Sequence, residues 1–221
     1  LFGNLLNRFL SLILTLPAVL LAISVHETAH GYAAYKMGDP TAKYSGRLSL
    51  NPFAHFDLIG FLCMLFFHFG WARPVPINPD NFKNRRKGVI LVSLAGPVSN
   101  LAMAIISAIL LGIAGKFVGF AALFSNVTSL KGLNVLVVML YYCIVINVGL
   151  MIFNLIPIPP LDGSRVLTEF LPGRIKYKFY QYERYSFLVL LLIIYTGILD
   201  PILNSLTSLI MQPILNLVNF I

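Results

Sequence analysis

The pentapeptide His26-Glu27-Thr28-Ala29-His30 holds three side chains able to do chemistry together. On a helix, residues four apart share a face, so both imidazoles can reach one metal ion. Glu27 stands beside them and can take a proton from a metal-bound water. Zinc held this way needs a third protein ligand and keeps its fourth position for water. Candidates are few: the remaining acids are Asp39, Asp57, Asp80, Asp162, Glu169, Glu183 and Asp200, and the remaining histidines are His55 and His68. Asp162 is the best placed. It closes the stretch Asn154-Leu-Ile-Pro-Ile-Pro-Pro-Leu-Asp-Gly163, where Pro157, Pro159 and Pro160 prevent a regular helix and expose backbone carbonyls. Gly163 permits a tight turn directly after it. The chemistry these residues suit is metal-assisted hydrolysis with Glu27 as general base. A zinc or proton transporter using the same ligands is the alternative, since ionisable groups inside a span also mark ion pathways.

The elements that position these groups must be solvated by lipid. Of the 221 residues, 58% are hydrophobic and 11% charged, against about 45–50% apolar and about 25% charged in a soluble domain. That composition excludes a disordered chain, a fibrous rod and a disulfide scaffold, and it is foreign to a soluble globule. Cys63 and Cys143 both fall inside apolar runs, where a buried small hydrophobe is the ordinary role. Sixteen Lys and Arg against eight Asp and Glu give a net charge of +8. No nucleic-acid motif accompanies that excess, so it is read as membrane sidedness rather than as a nucleic-acid interface.

Long apolar runs cover about residues 8–36, 88–115, 134–156 and 185–218, each at or above the roughly 20 residues a crossing needs. The last can be two segments, broken near Asp200-Pro201. A shorter run from Leu58 to Trp71 suits a dip into the membrane and back better than a crossing. The loop holding Arg73, Lys83, Arg85, Arg86 and Lys87 and the stretch holding Arg165, Arg174, Lys176, Lys178 and Arg184 lie two crossings apart, hence on one face. The positive-inside rule makes that face cytoplasmic. Residues 43–56 read as a short strand and turn, and 71–79 as extended because repeated proline excludes helix. Together they could form a small sheet at the membrane face. The expectation is an all-α, multi-pass helical bundle with a short re-entrant segment and small extended pieces. Residues 1–221 make one integral-membrane domain, with no room for an appended soluble one.

The motif at 26–30 taken with Asn154 through Gly163 resembles the site-2 protease family of intramembrane zinc metalloproteases. Linking segments agree: Gly46-Arg47-Leu48-Ser49-Leu50-Asn51-Pro52, Phe69-Gly70-Trp71-Ala72-Arg73-Pro74-Val75-Pro76, and Ala95-Gly96-Pro97-Val98-Ser99-Asn100. The likeness covers about residues 20–170 and is to the compact form without PDZ or CBS domains. It implies a three-helix catalytic core made of the first three long runs. It implies one zinc ion on His26, His30 and Asp162, with Glu27 as the base. It implies contact of Asn154 with the substrate backbone, and presentation of the substrate as a strand along a segment that includes Val75 and Pro76. The partners implied are a transmembrane protein substrate and the lipid bilayer. The setting implied is a prokaryotic cell membrane with the active site open to the cytoplasm.

Other polar residues have ordinary readings beside functional ones. His55 could support the metal site by hydrogen-bonding one of its ligands, although a lone interfacial histidine is more often simply hydrogen-bonded. His68, in an aromatic run, reads as a buried and satisfied ring. Gly96 and Asn100 read as close helix packing, and Asn147 as a bond between helices.

Overall fold

The computed structural model describes residues 2–67, 70–118 and 132–221. The first apolar run is one helix, α1 (Phe2–Met37), and the motif lies in its last third. Two one-turn helices follow, α2 (Thr41–Tyr44) and α3 (Pro52–His55). Asn51 caps α3 by accepting from the Phe53 N–H, and Pro52 fills the first-turn position where no donor is needed. Then come α4 (Leu58–Phe67), a 3-10 turn at Pro79–Asn81, α5 (Arg85–Val118) and α6 (Gly132–Leu155). The chain ends with α7 (Asp162–Thr168), α8 (Gly173–Thr196) and α9 (Asp200–Phe220).

Among the described residues, three helices are long and apolar enough to cross a membrane: Arg85–Lys116, Val135–Leu155 and Asp200–Phe220. α5 packs on both α1 and α6, which makes it the centre of the bundle. Ala104 and Ala108 on α5, fully buried and four residues apart, let α6 come close enough for Val137, Ile144 and Val148 to fill the contact. Ile214 and Val218 of α9 close the same core.

The fourth apolar run is two helices, as its length allowed, and the break falls at residues 197–199, beside Asp200-Pro201. Gly197 adopts φ 66° and caps α8, and Pro201 then sits in the first turn of α9.

α4, with 10 residues, is only about 15 Å long, half the hydrocarbon thickness. The chain after it comes back to where α4 began. The Arg73 N–H donates to the His55 carbonyl at 2.9 Å. A Cβ on Gly60 would lie 2.1 Å from the Trp71 carbonyl oxygen, so only glycine admits that return. This is the geometry of a segment that dips and comes back.

One expectation fails. Among the described residues there is no β-strand, and the sheet anticipated from 43–56 and 71–79 does not form. Residues 41–44 are helical instead, and Gly46, at φ 67°, turns the chain. The carbonyls a ladder would need are taken by side chains. Arg47 donates to the carbonyls of Arg73 and Pro74 at 2.5 and 3.3 Å, and Thr28 and His55 both donate to the Ser49 carbonyl at 2.7 Å. Pro74 and Pro76 have no N–H to offer.

Candidate metal centre

α1 presents His26 and His30 one turn apart, and α7 begins at Asp162 directly after the irregular, proline-rich turn 156–161. Their ligand atoms converge: Asp162 Oδ2 is 3.2 Å from Nε2 of each histidine, and all lie within 4.8 Å of one another. Both imidazoles are buried, at 7% exposure.

The outer nitrogens decide what faces inward. His26 Nδ1 lies 2.6 Å from Asn100 Oδ1, and His30 Nδ1 lies 2.7 Å from the Val92 carbonyl. Both partners only accept, so each Nδ1 carries a proton, and in the neutral ring each Nε2 presents a bare lone pair. Those two lone pairs sit 2.9 Å apart, and Asp162 Oδ2 beside them is buried without a hydrogen-bond partner. Three electron-rich atoms meeting in a buried place repel one another unless a cation lies among them. Two nitrogens and one carboxylate oxygen are also a donor set zinc takes in catalytic sites. The residues fit the ion.

Asn100 is fully buried and its orientation is fixed. Its amide nitrogen donates to the Ala22 carbonyl at 3.2 Å and to Asn147 Oδ1 at 2.8 Å, and Asn147 donates in turn to the Cys143 carbonyl at 2.8 Å. Three helices thus meet in one satisfied polar chain that ends on His26. Asn147 bridges helices as its mid-span position suggested. Asn100 does more than pack: it sets the tautomer of His26. Gly96, four residues earlier on the same face, has an equally local reason. A Cβ there would lie 2.4 Å from His30 Nε2 and 2.6 Å from His26 Nε2. Gly163 is required for close approach rather than for a turn, since its Cβ would fall 2.2 Å from the Leu155 carbonyl oxygen.

Glu27 faces the other way along the site, and its Oε2 accepts the Val75 N–H at 2.9 Å. The segment carrying Val75 is held at both ends. Arg47 grips it at residues 73 and 74. Asp39, fully buried, accepts from the Asn78 N–H at 2.7 Å, Asn81 Nδ2 at 2.8 Å, the Thr41 N–H at 3.1 Å and the Thr41 hydroxyl. Burial alone would raise the Asp39 pKa, but hydrogen bonds from the Thr41 and Asn81 side chains and from the Asn78 and Thr41 backbone outweigh it and hold the carboxyl below its ordinary value.

Cavities connect at this point. One of about 170 Å³ is lined by His26, Glu27, His30, Val75, Asn154 and Asp162. It shares Asn154 and Glu27 with an apolar cavity of about 220 Å³ under Trp71 and Phe187. On its other side it shares Val92, Ser93 and Arg165 with a cavity of about 240 Å³ that Arg85, Glu169 and Glu183 make polar. Asn154 is therefore at the site, its amide anchored on the Leu150 carbonyl at 3.0 Å. Pro76 is exposed beside Val75. His55 is outside the metal cluster, its Nε2 committed to Ser49. His68 lies outside the described residues.

Comparison with known proteins agrees with this arrangement. The profile of Peptidase family M50 matches residues 14–195. A Bacillus subtilis (strain 168) protein named as a candidate zinc metalloprotease, YwhC, is 40% identical over 208 residues, which is 89% of this chain and 92% of its own. A Mycolicibacterium smegmatis protein named as a candidate zinc metalloprotease, Rip2, is 28% identical over 196 residues, 85% of this chain and 69% of its own. No solved structure matches. The chain belongs to peptidase family M50, the site-2 protease family of zinc metalloproteases that its motifs resemble. Zinc-dependent peptide hydrolysis comes with that membership, and nothing favours the transporter alternative.

Proposed function

We propose that this protein cleaves peptide bonds in transmembrane segments of other membrane proteins, with His26, His30 and Asp162 holding one zinc ion and Glu27 as general base. The observation that carries it is the convergence of two bare Nε2 lone pairs and Asp162 Oδ2 on one buried point. When bound, zinc acidifies water and polarises the scissile carbonyl. With Oε2 engaged by Val75, Glu27 takes the proton of the attacking water at Oε1 and passes it to the leaving amine. Asn154 faces the substrate backbone from the opposite wall.

A substrate helix keeps its carbonyls in its own hydrogen bonds. It must unwind before attack, and the irregular wall of residues 70–78 lies alongside the place where it would do so. The apolar cavity under Trp71 suits entry from lipid, and the polar cavity at Arg85 and Arg165 suits water. Both arginines belong to the basic stretches that the positive-inside rule assigns to the cytoplasm, so the site opens to that side of a multi-pass protein. The test is Glu27→Gln with a transmembrane substrate in detergent. Zinc content stays at the wild-type level and cleavage falls about 10²–10⁴-fold. Cleavage at the wild-type rate would refute the assignment.

A further inference from the structure

The wall of the reaction cavity carries two side chains that the metal centre does not use. Arg165 lies three residues past Asp162 on α7, and so on the same face one turn further on. Ser93 lies on α5 next to Val92, whose carbonyl holds His30. α5 and α7 pack together, and both side chains line the cavity of His26, Glu27 and Asp162 as well as the polar cavity beyond it. Most polar groups there are engaged. Asp162 meets the histidines, Glu27 accepts from Val75, and Asn154 donates to Leu150. In the outer cavity Arg85 pairs with Asp80 and Glu169 with Lys176, while Glu183 makes no ion pair with Arg165. Among the described residues, neither the Arg165 nor the Ser93 side chain makes a hydrogen bond or an ion pair. Arg165 is exposed, and Ser93 is 3% exposed without its Oγ being sealed off. Two free donors thus stand at the passage between the two cavities.

A guanidinium and a hydroxyl together fit an acceptor that carries negative charge. Hydrolysis makes one in place. The C–N bond breaks, the water oxygen joins the carbon, and the water's protons go to the amine, leaving a carboxylate and an ammonium group. Charge decides where that carboxylate can rest. Glu27 and Asp162 carry two negative charges, which a bound zinc ion balances, so a third carboxylate is in excess by one. Arg165 is the only arginine or lysine lining this cavity, and its guanidinium does not lose its charge. We infer that Arg165 and Ser93 form a product-carboxylate site, holding the newly made C-terminus and drawing it from the metal centre toward the polar cavity. An Asp or Glu side chain of the substrate offers the same group. Transmembrane segments rarely carry an acid, however, whereas every turnover makes a terminal carboxylate. The inference rests on the proteolytic function proposed above and adds a product site to it.

The test uses the zinc-loaded full chain in detergent and a transmembrane substrate whose scissile bond is mapped by mass spectrometry. The N-terminal product fragment is synthesised twice, ending in a carboxylate or in a carboxamide, and each is measured as an inhibitor of cleavage. Wild type is inhibited more strongly by the acid than by the amide. Arg165→Met lowers that acid-to-amide preference by about 10-fold, the low end for a charge-assisted hydrogen bond because Arg165 is exposed. Ser93→Ala lowers it by about 3-fold. Arg165→Lys, which keeps the charge and loses the fork, falls between wild type and Arg165→Met. Inhibition by the amide and zinc content stay near wild type in all three, which a merely structural role would not give. A preference unmoved in both Arg165→Met and Ser93→Ala means the product site is wrong while the protease stands. A second arm places Asp or Asn near the scissile bond. An Asp preference that Arg165→Met abolishes, with the terminal acid-to-amide preference unmoved, would replace the product carboxylate with an acidic substrate side chain. If no substrate is cut beyond a Glu27→Gln blank, both readings fall together.

Discussion

The two walls of the site are built by different means. The metal wall is helical: His26 and His30 repeat at one turn of α1, and Gly96 and Asn100 repeat at one turn of α5 against them. The proposed substrate wall, residues 70–78, is irregular chain with no ladder. Single side chains fasten it: Arg47 at one end, Asp39 at the other and Glu27 in the middle. Helix periodicity gives the metal wall rigidity, because each ligand's orientation is set by a backbone already paired with itself. The substrate wall keeps backbone available and depends on a few charged hydrogen bonds. The cleavage of a helical substrate proposed above would need both.

If the metal wall owes its geometry to close helix approach, adding one carbon to it is the largest perturbation. Gly96→Ala places a Cβ within 2.4–2.6 Å of both imidazoles. Displacing them by an ångström should cost on the order of 10²-fold in kcat/KM, with zinc content falling in parallel. Activity and zinc both unchanged would mean that α5 does not set the site.

Asn100→Ala removes the acceptor that orients His26 but leaves all three ligands. Zinc affinity should weaken about 10- to 100-fold, read by competition with a chelator. Asn100→Asp keeps an acceptor for His26 Nδ1 but loses the donor to Asn147 and Ala22, so it should recover part of the affinity and not the thermal stability. The order Asn100→Ala weakest in zinc binding, Asn100→Asp intermediate and wild type strongest is the expected outcome.

On the substrate wall, Asp39→Asn should leave zinc content intact and lower stability by about 1–3 kcal/mol, since the donors of residues 41, 78 and 81 lose a charged acceptor. Its pH dependence has a fixed sign. A carboxyl whose folded pKa lies below its unfolded value stabilises fully above the unfolded value, about 4. That stabilisation is lost as pH falls from there through the lowered folded value. Wild type should therefore lose thermal stability in that acid range more steeply than Asp39→Asn, as followed by circular dichroism in detergent. Equal slopes would remove Asp39 from the account.

The same division governs how much was legible in the sequence. The imidazole pair, Glu27 and Asp162 were readable because helix spacing and proline chemistry leave marks in the chain order. So were the apolar runs that became α5, α6 and, in its second half, α9, since bilayer thickness sets their length. Gly96 and Asn100 looked like packing residues because their i, i+4 spacing says that something approaches and does not say what. Only the fold shows that two imidazoles are the neighbour. The expected sheet failed for a different reason: extended sequence does not reveal whether carbonyls will meet a strand or a side chain, and Arg47, Thr28 and His55 claimed them. The break in the last run fell near Asp200-Pro201 as read, because Gly197 ends one helix just before Pro201 starts the next.

The central claim is that Asp162 is the third ligand to zinc, completing what α1 offers. Metal analysis of purified wild type and Asp162→Ala, both confirmed folded by circular dichroism, tests it directly. Wild type should hold one zinc per chain and the variant almost none. Undiminished zinc in Asp162→Ala, at unchanged affinity, would contradict it.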